Sequence, residues 1–180
     1  MKQVAHLNSG LWVRRALIVV AFAAAPALVL AQSSQSPSDS KFASDAASGG
    51  MTEVKLGELA QKNGASNSVK EFGRRMETDH TKADENLKQA AEKANISLPS
   101  DMSSAERATY DHLSKLHGAA FDRAYAKAMV TDHEKDIAAF EKESKQGQNA
   151  SIKSFAQQTL PTLKDHLRLA REMEKTVSPS

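Results

Sequence analysis

From about residue 41 onward, apolar residues recur every three to four positions, and nowhere do they alternate over a strand-length run. That period belongs to helices packed on one face, so the pattern predicts an all-α domain. The first helix is expected from Lys41 to about Asn63, where Asn63-Gly64 ends it. A second should run from about Asn67 to Asn95, with Ser66 as its N-cap. After the loop "ISLPSDMSS" comes a short helix over 104–116. A third long helix spans Gly118 to Gln146 and stops at Gly147, and the last covers about Asn149 to Thr176, with a kink at Pro161. The Ser-rich "QSSQSPSDS" of residues 32–40 reads as a flexible lead-in, and 177–180 as a tail.

Two long helices joined tightly, a connection of about twenty residues, and two more helices joined tightly give the order of a ferritin-like four-helix bundle. The 96–117 crossover holds its own short helix, which gives it the length to return along the bundle. A simple up-down-up-down bundle needs no such connection and ranks second. The bundle domain is therefore placed at residues 41–176.

Each long helix has one polar residue inside its apolar stripe. In the first, Phe42, Ala46, Gly49, Leu56 and Ala60 form the line, and Glu53 interrupts it. In the second the stripe is Val69, Phe72, Met76, Ala83, Leu87, Ala90 and Ala94, with His80 in its one gap. His133 sits among Ala119, Ala126, Met129, Ile137 and Phe140, and His166 among Ile152, Ala156, Leu163, Ala170 and Met173. The helix midpoints fall near 52, 81, 132 and 163, within three residues of these four side chains. Three residues are about 4.5 Å of rise, so all four can meet in one layer.

A lone histidine on an apolar face is usually a core histidine with a hydrogen-bond partner. Four metal-type groups at one level are harder to explain separately, because burying them unpaired costs several kcal/mol. Two readings follow: one transition-metal ion (zinc, copper or iron) held by Glu53, His80, His133 and His166, or a buried Glu–His hydrogen-bond network.

The histidines share a local context. "METDHTKADENL" begins at Met76 and "MVTDHEKDIAAF" at Met129, and a further Asp-His occurs at Asp165-His166. Asp79, Asp132 and Asp165 lie 100° around the helix from their own histidines, so each can accept an N–H from a histidine on a neighbouring helix or face solvent. Met76 and Met129 stand one turn before a histidine and suit core packing better than thioether ligation of copper. Asp122 is about 16 Å along the helix from His133, too far to share an ion, and suits a structural hydrogen bond at the bundle end. His112 and His117 read as solvated or capping residues. A carboxylate-bridged di-iron centre would need Glu-x-x-His on two helices. Glu77 precedes His80 with that spacing, but Val130 and Leu163 occupy the equivalent positions before His133 and His166.

Composition narrows the setting. Residues 1–31 combine Lys2, Arg14 and Arg15 with the apolar "ALIVVAFAAAPALVLA", the pattern of a signal peptide cleaved before Gln32. Periplasmic or secreted location is the expectation. The apolar run is short for a membrane span, although an uncleaved anchor is the competing reading. The whole chain has 24 Lys and Arg against 22 Asp and Glu, but three of those cations belong to the leader, which leaves 21 against 22 and a net charge of −1. Nucleic-acid binding then loses its electrostatic basis. The chain has no cysteine, which excludes disulfides and thiolate chemistry.

The segments "GGMTEVKLGELAQKN", "VKEFGRRMETDHTKADENL", "GAAFDRAYAKAMVTDHEKDIAAFEKE" and "LPTLKDHL" resemble the exported bacterial proteins of domain-of-unknown-function family 4142. The resemblance runs over about residues 41–173 and matches at Glu53, Gly57, Asp79, His80, Asp122, Tyr125, His133 and His166. It implies a ferritin-like fold and an association with the cell envelope, and no defined activity. Two functional classes remain at this point: a periplasmic metal-binding protein, or a helical interaction or envelope-stress module whose polar layer is structural.

Overall fold

The computed structural model describes Met1 and residues 36–178, and among them it contains five α-helices and no strand: α1 Pro37–Asn63, α2 Asn67–Ala94, α3 Ser104–Leu113, α4 Gly118–Gln146 and α5 Ala150–Val177. The signal peptide expected over 1–31 lies outside the described residues apart from Met1.

The caps explain the boundaries. Ser66 Oγ accepts the Val69 N–H at 3.2 Å to open α2, and Asn95 closes it in the left-handed conformation at φ 55°. Ser103 and Glu106 form a reciprocal capping box at the start of α3. That helix ends at Leu113, three residues before the expected 116, because the Asn63 side chain donates to the Leu116 carbonyl at 2.9 Å and holds the segment as a turn. Helix α1 begins at Pro37, so residues 37–40 of the expected lead-in are helical, while 32–35 lie outside the described residues. Proline at the first turn suits a helix start. The buried Asp39 carboxylate then accepts the backbone N–H groups of Gln148 and Asn149 in the α4–α5 turn. A contact more than a hundred residues away in sequence orders this turn of helix.

Those end contacts also fix direction. The start of α1 meets the α4–α5 turn, and Asp122 in the first turns of α4 accepts from Ala65 and Ser66 between α1 and α2. Helix α1 therefore runs antiparallel to α4, and the crossover carrying α3 returns along the bundle. Helix α1 packs on α2 and α4, and α5 packs on the same two. This is the ferritin-like order.

Helices α1 and α2 approach closely at a pair of glycines. A Cβ on Gly57 would lie 2.6 Å from the Gly73 carbonyl oxygen, and one on Gly73 would lie 2.7 Å from that of Gly57. Only glycine permits this contact, one turn beyond Glu53.

The core forms two apolar clusters. One gathers Leu56, Phe72, Met76, Phe121, Tyr125, Met129 and Met173, and the other Phe42, Leu87, Phe140, Ile152, Phe155 and Leu163. The stripes follow the sequence pattern with local rotation: Ala43, Ala47 and Gly50 are buried where Ala46 and Gly49 were expected, Ala119 is exposed, and Ala83 and Ile137 are half-buried. Along every long helix, the polar side chain expected in the stripe falls between the two clusters.

Candidate metal centre

Glu53, His80, His133 and His166 are all buried, with exposures of 1%, 4%, 0% and 0%. They come from α1, α2, α4 and α5, one from each long helix, and meet in a single layer. His80 Nδ1 is 2.9 Å from Glu53 Oε2, and His133 Nε2 is 3.4 Å from Glu53 Oε1. His133 Nε2 is also 3.3 Å from His166 Nδ1. One nitrogen of each histidine lies within 4.8 Å of one from each of the others. Phe72 presents its ring to His133 and His166, both at 6.4 Å between centroids, and closes the layer with an apolar wall.

The outer hydrogen bonds decide where the imidazole protons are. His133 Nδ1 donates to the Met129 carbonyl at 3.0 Å, so its Nε2 presents a lone pair to the centre. His166 Nε2 donates to Asp79 Oδ2 at 2.8 Å, so its Nδ1 does the same. The 3.3 Å contact between these two nitrogens therefore sets lone pair against lone pair. His80 Nδ1 donates to Glu53, which leaves its Nε2 as a buried acceptor with no partner among the described residues, and Glu53 Oε1 is in the same condition.

Protonation of the imidazoles does not relieve this arrangement near neutral pH. Burial, with the neighbouring histidines, holds His133 down to about 3. Burial likewise holds His166 down to about 4 against the raising effect of Asp79. His80 is lowered, mainly by burial. Glu53 is pushed well above its ordinary range by burial and then by Asp132, Asp84 and Glu106. Asp79 is raised by burial but held low on balance by its hydrogen bonds from His166 and Arg75.

In a tetrahedral site with metal–nitrogen bonds of 2.0–2.1 Å, ligand atoms are separated by about 3.3 Å. The spacings of 3.3 Å and 3.4 Å around His133 Nε2 match that edge. A single cation among the three imidazoles, whose ligand nitrogens lie within 4.8 Å of one another, would satisfy their inward lone pairs, and Glu53 Oε1 lies 3.4 Å from one of those nitrogens.

The surrounding aspartates separate into different roles. Asp79 orients His166 from another helix, as its position allowed. Asp165 instead pairs with Arg75 and Arg168 at the surface. Asp122 caps the α1–α2 turn and takes no part in the layer. His112 and His117 are exposed, and His117 occupies the α4 N-cap position without a capping side-chain bond. Met76 and Met129 belong to the apolar cluster on one side. Asp84 and Asp136 lie near the layer and were not singled out from the sequence. Their spacing, four after His80 and three after His133, places them one turn further on the same faces.

Residues 24–173 match the family described as a domain of unknown function (DUF4142). No curated protein matches the chain. Among solved structures, the crystal structure of a DUF305 fragment from Deinococcus radiodurans is similar, with a TM-score of 0.66 and 12% identity over 79% of this chain and 97% of that one. At that identity the likeness shows a shared helical fold alone.

Proposed function

The chain belongs to the domain-of-unknown-function family DUF4142, and we propose that it is an exported bundle protein binding one transition-metal ion through Glu53, His80, His133 and His166. The observation that supports this reading most is the 3.3 Å contact between His133 Nε2 and His166 Nδ1. Both rings donate outward, so no proton is available between them, and a cation supplies the missing attraction. A purely structural Glu–His network accounts for the His80–Glu53 hydrogen bond at 2.9 Å but not for the facing lone pairs.

The ligand set, three imidazoles and one carboxylate, suits zinc, copper or iron(II), and nothing in it selects among them. All four groups are buried, so the site as built favours holding or buffering an ion over presenting it to a large substrate. Export rests on the leader pattern of residues 1–31. No helix among the described residues is long and apolar enough to cross a membrane.

Metal analysis of protein purified without a histidine tag tests the reading. One equivalent per chain is expected after incubation with zinc and gel filtration, and His133→Ala should abolish it. Wild-type protein that remains metal-free, with unchanged thermal stability in added zinc, copper or iron(II), would leave the polar layer as a structural network.

A further inference from the structure

We propose that a second, harder divalent cation binds beside this centre, between Glu53, Asp132 and Asp136, with the Glu53 carboxylate shared by the two ions. The proposal rests on the metal-binding reading above.

One carboxylate oxygen from each of Glu53, Asp132 and Asp136 lies within 4.8 Å of the other two. Three carboxylates at that separation repel one another, and bulk solvent does not reach Glu53, which is 1% exposed. Glu53 also carries an unmet acceptor: its Oε1, 3.4 Å from His133 Nε2, is buried without a hydrogen-bond partner. Neither Asp132 nor Asp136 has a hydrogen bond or ion pair among the described residues that would hold it in place for structural reasons.

More negative charge surrounds the cluster. Asp84 and Glu106 also act on Glu53, while Lys135 and His80 act with the opposite sign on Asp132 and Asp136. Room has been made for Asp84, because a Cβ on Gly50 would lie only 2.0 Å from its Oδ1. A surface groove lined by Ser48, Gly49, Glu106, Asp132, Lys135 and Asp136 reaches the cluster from solvent, so a cation has a way in.

The donor chemistry separates the two positions. An all-oxygen set suits manganese(II), magnesium, calcium or iron(II), whereas the imidazole-rich set suits zinc, copper or iron(II). An ionised carboxylate has about four lone-pair sites, so Glu53 can serve both ions. The two positions therefore prefer different metals.

Manganese(II) titrated into protein preloaded with one equivalent of zinc tests this, read by loss of the free manganese signal in electron paramagnetic resonance. Zinc-loaded wild type should take up one manganese per chain. The Asp132→Asn/Asp136→Asn double variant should keep its zinc and lose manganese uptake, and the retained zinc shows that it is folded. Should the double variant fail to fold, Asp136→Asn alone must still raise the manganese dissociation constant. Zinc-loaded wild type that takes no manganese, or variants that take it as well as wild type, would overturn the second position and leave the first intact. Protein that binds none of zinc, copper or iron(II) would overturn both.

Discussion

Asp79 of α2 accepts the Nε2–H of His166 of α5 at 2.8 Å, so the aspartate that precedes one buried histidine orients a different one. The pairing gives one Asp-His dipeptide a reason. His80 turns inward from α2, while Asp79, 100° around the same helix, reaches across the α2–α5 interface. Arg75 steadies Asp79 from one turn earlier, with its Nε 3.2 Å from Asp79 Oδ2.

Asp79→Asn is therefore expected to weaken metal binding without removing a ligand. The loss should be about 10- to 100-fold, the usual effect of disturbing a carboxylate that orients a ligating histidine. Competition with a chromophoric chelator measures it. Asp165→Asn, which changes only arginine pairing at the surface, should leave the affinity near wild type. Equal effects from both substitutions would remove the orienting role from Asp79.

His133→Ala and Phe140→Ala should separate metal loss from stability loss. His133 Nε2 faces both Glu53 and His166, so its removal should abolish stoichiometric metal and the thermal shift that metal produces. Phe140 packs edge-on against Phe42 with centroids 4.8 Å apart, in the other cluster. Its truncation should cost about 3–5 kcal/mol through a cavity while the folded fraction keeps one ion per chain. Calorimetric melts with and without zinc distinguish the two.

The metal-free protein should lose stability as pH rises above about 6.5. Burial, then Glu53 and Asp132, push Asp136 up to about 8, and burial pushes Asp84 up to about 6. In that range the folded state binds more protons than the unfolded chain, so this contribution is present at low pH and is lost as pH rises through the folded values. His166, held down to about 4 from an ordinary 6.5, has the opposite sign and acts only between those two values. Above pH 6.5 the carboxylates act alone, and the melting temperature should fall toward pH 8. Asp136→Asn should flatten that fall, and a melting temperature that rises over the same interval would contradict it.

Gly57→Ala should disturb both fold and site. Its Cβ would meet the Gly73 carbonyl at 2.6 Å and the Glu77 nitrogen at 3.0 Å, both backbone atoms that cannot turn aside. Separating α1 from α2 should cost about 1–3 kcal/mol and stretch the Glu53–His80 contact, so metal affinity falls too. Asp122→Ala, which strips two turn N–H groups of their acceptor, should cost a similar amount but leave metal stoichiometry unchanged. Urea melts paired with metal analysis compare them.

Exported protein should begin at or near Gln32. N-terminal sequencing of material from the periplasm or medium checks this, and a full-length species held in the inner membrane would establish the anchor reading instead.

The helices and the central polar layer were legible in the sequence because both are products of one period. A residue that breaks an apolar stripe at mid-helix must point inward, so Glu53, His80, His133 and His166 could be placed from spacing alone. Helix boundaries at Ser66 and Gly147 followed from local capping chemistry in the same way. What distance in sequence conceals was decided by the tertiary structure. Asp39 extends α1 to Pro37 only because the α4–α5 turn arrives beside it, and Asn63 shortens α3 by reaching the Leu116 carbonyl. Three Asp-His dipeptides look equivalent along the chain, yet Asp79 meets a histidine, Asp165 meets arginines, and Asp132 joins Glu53 and Asp136. Helical period sets which way a side chain points; only the packing of one helix on another sets what it finds there.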